Sequence, residues 1–163
     1  MKNAILDVTG MFFRTSVSVK DDASVLDVMQ AAKAQGGDPS FDFEPDASGR
    51  FLKRVTVDYL DPTDPPTSRQ DPNRTYPIGR YTWDDEANGQ TNPQLVWQYY
   101  VFDAGGKLLT GPEGPQGKRK IVAFADSYKE GLELDNGYSI VWRLVAIFIA
   151  PNGGSIKTMM NMA

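Results

Sequence analysis

The side chains best suited to binding form one run of aromatic and amide residues at positions 97–100, Trp-Gln-Tyr-Tyr. In a β-strand, Trp97 and Tyr99 lie on one face, whereas Gln98 and Tyr100 lie on the other. Two interpretations of Trp97 and Tyr99 remain open: their rings fill the core, or they form a face for a ligand or a protein partner. With Gln98, they are the first candidate binding residues.

Chemistry that needs imidazole or thiolate is excluded, because the 163 residues include no histidine and no cysteine. No Ser-His-Asp triad, Cys-His pair or zinc site of these ligands can form. Acidic residues do cluster, as Asp61, Asp64 and Asp71 in one segment and at residues 84–86 in another. Their spacing matches neither a calcium-binding EF-hand loop nor a glycosidase carboxylate pair, and a solvated surface explains them. The sequence predicts no catalytic residues, no metal and no cofactor.

Charge and hydropathy exclude two further classes of partner. The 17 basic and 21 acidic side chains give a net charge of −4, which argues against nucleic-acid binding, because that function needs a basic surface. The longest apolar stretch, residues 140–150, contains Arg143 and is too short for a membrane-spanning helix. Asp7 and Arg14 interrupt the N-terminal apolar run, which lacks a signal-peptide cleavage site. We therefore expect a soluble chain, and the sequence does not indicate its compartment.

The elements that position these residues are mostly strands. Alternating or continuous runs of apolar residues predict strands at 4–8, 12–20, 41–44, 51–60, 95–102, 107–109, 121–125 and 138–149. In the last strand, Ile140, Trp142, Leu144 and Ala146 should face the core, with Val141, Arg143 and Val145 on the outer face.

One helix is predicted after the second strand. Ser24 is suited to the N-cap position, and Asp27 three residues later completes an approximate capping box. Gly36 and Gly37 then provide the C-terminal stop. The apolar stripe of this helix consists of Val25, Val28, Met29 and Ala32.

The length predicts a single domain over residues 1–163. Residues 61–93 contain six prolines, show little apolar periodicity and exceed the length of an ordinary connection. They are predicted to form a long Pro-rich insertion or arm. Tyr81 and Trp83 within it are candidate contacts, because a purely solvated loop rarely carries such side chains. Residues 155–163, rich in methionine, are predicted to be a flexible tail.

Several short motifs resemble a known family. They are the capped Ser-Val-Leu-Asp-Val helix of residues 24–32, Phe41 and Phe43, the Gly-x-Phe-Leu run of 49–52, Trp97-Gln98, the return at 108–111 and the final strand at 140–144. Their order is similar to that of the C-terminal β-domain of transcobalamin and intrinsic factor and its stand-alone relatives. This resemblance implies an α+β fold with a β-grasp-like mixed sheet packed on one α-helix. It also implies that the Trp-Gln strand faces a ligand or partner, with a corrinoid as the ligand.

Two functions are therefore predicted. The first is a non-catalytic protein-binding or assembly module, such as a subunit of a virion or surface layer, which binds a protein partner or further copies of itself. Its interface would be the exposed sheet face, the long arm and the Met-rich tail, and its sheet edges could add a strand of the partner. The alternative is a corrinoid-type small-molecule binding domain that acts with a partner, since one β-domain offers only half a pocket. The candidate binding residues are Trp97, Gln98, Tyr99, Tyr81, Trp83 and Leu108.

Overall fold

The structure, a computed structural model, describes residues 1–59, 79–85, 94–111, 124–126, 134–149 and 155–159. Within these ranges the chain forms an α+β fold, with mixed and antiparallel β-structure packed on one α-helix, as the sequence predicts. The strands are β1 (Lys2–Val8), β2 (Phe13–Val19), β3 (Ser40–Pro45), β4 (Leu52–Tyr59), β5 (Gly79–Asp84), β6 (Gln94–Phe102), β7 (Leu108–Thr110), β8 (Tyr138–Ile149) and β9 (Ser155–Met159). The helix, α1 (Val25–Gln35), follows β2.

The large sheet places the first strand beside the last long strand. Its order is β2-β1-β8-β6-β7, and β9 also pairs with β8. β1 and β8 are parallel, with Ala4 opposite Tyr138, whereas the other pairs are antiparallel. An N-terminal hairpin, a following helix and a parallel central pair together give the β-grasp-like arrangement.

β9 lies in the segment that the sequence predicts to be a flexible tail. Residues 155–159 instead pair with β8, with Ser155 opposite Ile149 and Met159 opposite Val145. β6 occupies one edge of β8, and β1 occupies the other edge only as far as Trp142. The remaining peptide groups of that edge need partners, and β9 supplies them. Residues 160–163 lie outside the described residues.

The small sheet is a separate antiparallel layer with the order β3-β4-β5. Its third strand, β5, lies inside the segment predicted to be an arm at 61–93. This strand formed despite the low apolar content, because its residues alternate between polar and aromatic side chains and no proline falls within it. The other residues of the predicted arm, 61–78 and 86–93, lie outside the described residues.

Helix α1 has the cap and the buried face that the sequence predicts. The Ser24 hydroxyl accepts a hydrogen bond from the Asp27 backbone N–H at 3.2 Å, and the Asp27 carboxylate accepts one from the Ser24 N–H at 2.8 Å. Gly36 ends the helix with a φ of 62°, a conformation that favours glycine. The buried residues of the helix are Val25, Val28, Met29 and Ala32. With 11 residues, α1 is too short to span a membrane, and the described part of the chain contains no helix long and apolar enough to do so.

One hydrophobic cluster joins the helix to both sheets. The predicted core face of β8 is confirmed, since Ile140, Trp142, Leu144 and Ala146 are buried. On the opposite face, the Arg143 guanidinium lies 5.4 Å from the centre of the Tyr100 ring.

Two sequence predictions about the core need correction. Val145, expected on the outer face, is fully buried because β6 and β9 flank it on both sides. A strand was predicted at 121–125, but Phe124–Asp126 form a 3₁₀ turn, and residues 121–123 lie outside the described ranges. Phe124 is buried against Phe43 and Trp142, and its N–H donates to the Arg50 carbonyl at 3.0 Å. This contact with a loop, rather than with a neighbouring strand, explains the turn.

Candidate functional site

The three candidate residues on β6 are buried. Trp97 is 4% exposed and Tyr99 is 0% exposed, and the Tyr99 ring centre lies 5.0 Å from that of Trp142. Gln98 is 7% exposed on the other face of the strand. Of the two interpretations left open for Trp97 and Tyr99, the structure therefore favours the core.

The two candidates on β5 face inwards and are half-buried. Trp83 stacks on Trp97 with 6.3 Å between ring centres and 25° between ring planes. Tyr81 meets Tyr59 edge to face at 5.7 Å. The structure thus brings Trp83 and Trp97 together, and their contact joins the small sheet to the large one.

The sixth candidate, Leu108, lies apart from this aromatic contact. It sits on β7 opposite Phe102, the last residue of β6, and it is 52% exposed. Leu108 therefore shares no site with Trp83 and Trp97, whose rings contact each other between the two sheets.

The outer side of the small sheet carries a polar surface that the sequence analysis missed. Strand alternation puts nine polar side chains there, in three cross-strand rows: Ser40-Asp58-Arg80, Asp42-Thr56-Thr82 and Glu44-Arg54-Asp84. We call these nine residues the polar face. Eight of them, with Phe43, line a partly open depression of about 340 Å³.

The charges of the polar face are paired across strands. Arg54 donates to Glu44 at 3.1 Å and, through two nitrogens, to Asp84, at 3.0 Å for Nη2. Arg80 also contacts Asp58 through two nitrogens, Nε at 2.8 Å and Nη2 at 2.7 Å, but both reach the same oxygen, Oδ2. Hydrogen bonding from Arg54 holds the pKa of Asp84 below its ordinary value.

Strands β4 and β5 carry the same pattern, Arg-x-Thr-x-Asp. It occupies residues 54–58 in β4 and residues 80–84 in β5. Antiparallel pairing puts the arginine of each strand opposite the aspartate of the other, and it brings the Thr56 and Thr82 hydroxyls within 3.1 Å. The pattern is therefore its own complement, and its repetition is the sequence signal that could have revealed this surface.

One edge of β5 pairs with β4, and the opposite edge has no partner strand among the residues that the structure describes. The Asp85 N–H donates to the Lys53 carbonyl of β4 at 2.7 Å. Peptide groups alternate in direction along an antiparallel strand, so those of Tyr81 and Trp83 also face β4. Those of Arg80, Thr82 and Asp84 face away from it. No described strand pairs with that side, which we call the β5 edge.

The described residues contain no group of three or more acidic side chains placed to hold a metal ion. The acidic residues at positions 61, 64, 71 and 86 lie outside the described ranges. The polar face offers hydrogen bonding and charge pairing, and the β5 edge offers main-chain hydrogen bonding.

No family model, no curated protein and no solved structure matches this chain. The resemblance to the transcobalamin β-domain accordingly stays a prediction from the sequence.

Proposed function

We propose that this chain is a non-catalytic protein-binding or assembly module, and that it binds by accepting an extended strand at the β5 edge. The observation that carries this proposal is the outward direction of the Arg80, Thr82 and Asp84 peptide groups. An added strand gains affinity from main-chain hydrogen bonds and specificity from the side chains it places opposite those of β5.

The β5 side chains define the strand that fits. An antiparallel partner needs an acidic residue opposite Arg80 and a basic residue opposite Asp84, because unlike charges on facing positions favour pairing and like charges oppose it. Opposite Thr82, a second threonine repeats the hydroxyl pair that Thr56 makes. On the inner side, the half-buried rings of Tyr81 and Trp83 favour apolar or aromatic neighbours.

Corrinoid-type binding and membership in a virion or surface layer stay predictions from the sequence. The depression of about 340 Å³ is lined by polar-face residues and Phe43 rather than by Trp97, Gln98 or Tyr99. Because those three side chains are buried, the structure gives the corrinoid alternative less support than strand addition.

A peptide of residues 52–59, LKRVTVDY, tests strand addition, because this segment already pairs with β5 in the required register. We expect it to shift the NMR amide signals of Arg80, Thr82 and Asp84 more than those of Tyr81 and Trp83. The control peptide, LKDVTVRY, exchanges the arginine and the aspartate and should bind more weakly by roughly tenfold. Equal binding of the two peptides, or signals that shift elsewhere, would contradict the proposal.

Proline substitution separates the β5 edge from the β4 side of the same strand. Thr82→Pro removes an N–H that faces away from β4, so the variant should fold with a stability loss of roughly 1 kcal/mol and lose peptide binding. Trp83→Pro removes an N–H that faces β4 and should detach the strand. Circular dichroism and urea unfolding measure the folding of both variants. Peptide binding that survives in folded Thr82→Pro would locate the site elsewhere.

A further inference from the structure

We infer that the strand accepted at the β5 edge is β5 of a second copy of this chain, in an antiparallel two-fold dimer centred on Thr82. This inference rests on the proposed function and names its partner. Within one chain, β5 already pairs with a strand that carries its own Arg-x-Thr-x-Asp pattern, namely β4. A second β5 offers the same pattern to the opposite edge.

Hydrogen-bond alternation restricts the register of this dimer. The outward peptide groups belong to alternate residues, Arg80, Thr82 and Asp84, and they must meet outward groups of the second copy. A two-fold axis must therefore pass through a residue rather than between two residues. An axis at Thr82 pairs the outward peptide groups of all three residues. Thr82 then faces Thr82 of the second copy, and Arg80 faces Asp84 of the second copy.

Charge selects Thr82 among the possible centres. An axis through Arg80 or Asp84 would place two like charges directly opposite each other, which is unfavourable. An axis through Tyr81 or Trp83 would place a charged residue opposite Thr82, and Arg80 would not face Asp84. Only the Thr82 centre opposes Arg80 and Asp84 at both symmetry-related positions.

The dimer extends the charge pairing of the polar face across the two copies. Glu44, Arg54 and Asp84 form a negative-positive-negative row in one chain. In the dimer, Asp84 faces Arg80 of the second copy, and that Arg80 pairs with Asp58 of its own chain. The row of alternating charges therefore continues into the second copy. The Arg80 side chain is 71% exposed and that of Asp84 is 41% exposed, so both have room for the new contact. Exposed ion pairs add little affinity, and their main effect is to fix the register.

The inner side of β5 adds an apolar contribution. In the Thr82-centred register, Tyr81 faces Trp83 of the second copy, and Trp83 faces Tyr81. These residues form the non-hydrogen-bonded pairs, in which facing side chains lie closest. Each ring is only half-buried within one chain, so the second copy covers aromatic surface that the single chain leaves in water.

Sedimentation velocity over about 1 μM to 1 mM chain tests the dimer, at the concentrations where weak association becomes measurable. We expect a shift from the 18.0 kDa monomer to twice that mass. Arg80→Asp alone and Asp84→Arg alone should each weaken association by roughly tenfold or more, because each variant opposes like charges at both positions. An equimolar mixture of the two variants should restore association, because every facing pair is then of opposite charge.

Lys107→Asp and Asp135→Arg are the matched controls, with the same charge changes at exposed loop positions outside the small sheet. They should leave association unchanged. Recovery of the dimer in the mixture also shows that both variants fold. A chain that stays monomeric throughout, or a dimer that is insensitive to Arg80→Asp, Asp84→Arg and Thr82→Pro, would overturn the inference. If the LKRVTVDY peptide still binds a monomeric chain at the β5 edge, the proposed function stands and only the second copy is wrong.

Discussion

Asp84 and Asp85 are adjacent carboxylates with opposite electrostatic environments. The guanidinium of Arg54 lowers the pKa of Asp84, whereas burial raises the pKa of Asp85 above its ordinary value. Asp84 therefore stabilises the fold in its charged form. That contribution is present above the ordinary carboxyl pKa and is lost as the pH falls through the lowered folded value. Asp85 behaves in the opposite way, because its charged form is penalised above its raised pKa and the penalty disappears in acid.

Replacing each aspartate with asparagine tests these opposite effects on the free energy of unfolding. At pH 7, Asp84→Asn should lower the free energy of unfolding by up to about 1 kcal/mol, a limit set by the exposure of the pair. Asp85→Asn should raise it by a smaller amount, because it removes a half-buried charge. Urea unfolding of the monomer at pH 7 and at pH 2.5 should show both differences shrinking in acid. A loss of stability in Asp85→Asn at pH 7 would mean that its carboxylate makes a stabilising contact.

The start of α1 is fixed by the reciprocal hydrogen bonds between Ser24 and Asp27. Ser24→Ala removes the acceptor for the Asp27 N–H and should lower stability by about 1 kcal/mol. Ser18→Ala, an exposed change on β2, is the control and should have little effect. Urea unfolding measures both. Equal stability of the two variants would show that tertiary packing alone fixes the start of the helix.

The helix could be predicted from sequence because its signals are local. Its cap spans three residues, and its apolar stripe repeats within the helix. Strands β5 and β9 could not be predicted in the same way, because neither carries a strong apolar alternation of its own and each forms by pairing with the strand that precedes it, β4 or β8. The core position of Trp97 depends in turn on β5, which brings Trp83 against it. The polar face was missed because its residues come together only through the cross-strand register of three strands.

The hydrophobic cluster that the helix and both sheets share predicts cooperative unfolding. Residues of α1, of both sheets and Phe124 belong to one cluster. We therefore expect tryptophan fluorescence and far-UV circular dichroism to report the same urea midpoint, as in a single domain over residues 1–163.

The contact between Trp83 and Trp97 should contribute to that cooperativity. Trp83→Ala removes the ring that joins β5 to β6 and should lower stability by about 2 kcal/mol, less than for a fully buried tryptophan. Trp83→Phe keeps an aromatic ring and should lose less. Separate transitions for the two probes in the unsubstituted chain would show that the small sheet unfolds independently.

The parallel pairing of β1 with β8 also governs when the protein can fold during its synthesis. Ala4 lies opposite Tyr138, so β1 cannot pair with β8 until more than a hundred further residues have been synthesised. At ordinary rates of translation this delay is on the order of ten seconds. During that time β1 has an unpaired edge, because β8 is the strand that pairs with it. A nascent chain that stops before β8 should therefore engage chaperones or be degraded, and the native sheet should close only after β8 has left the ribosome.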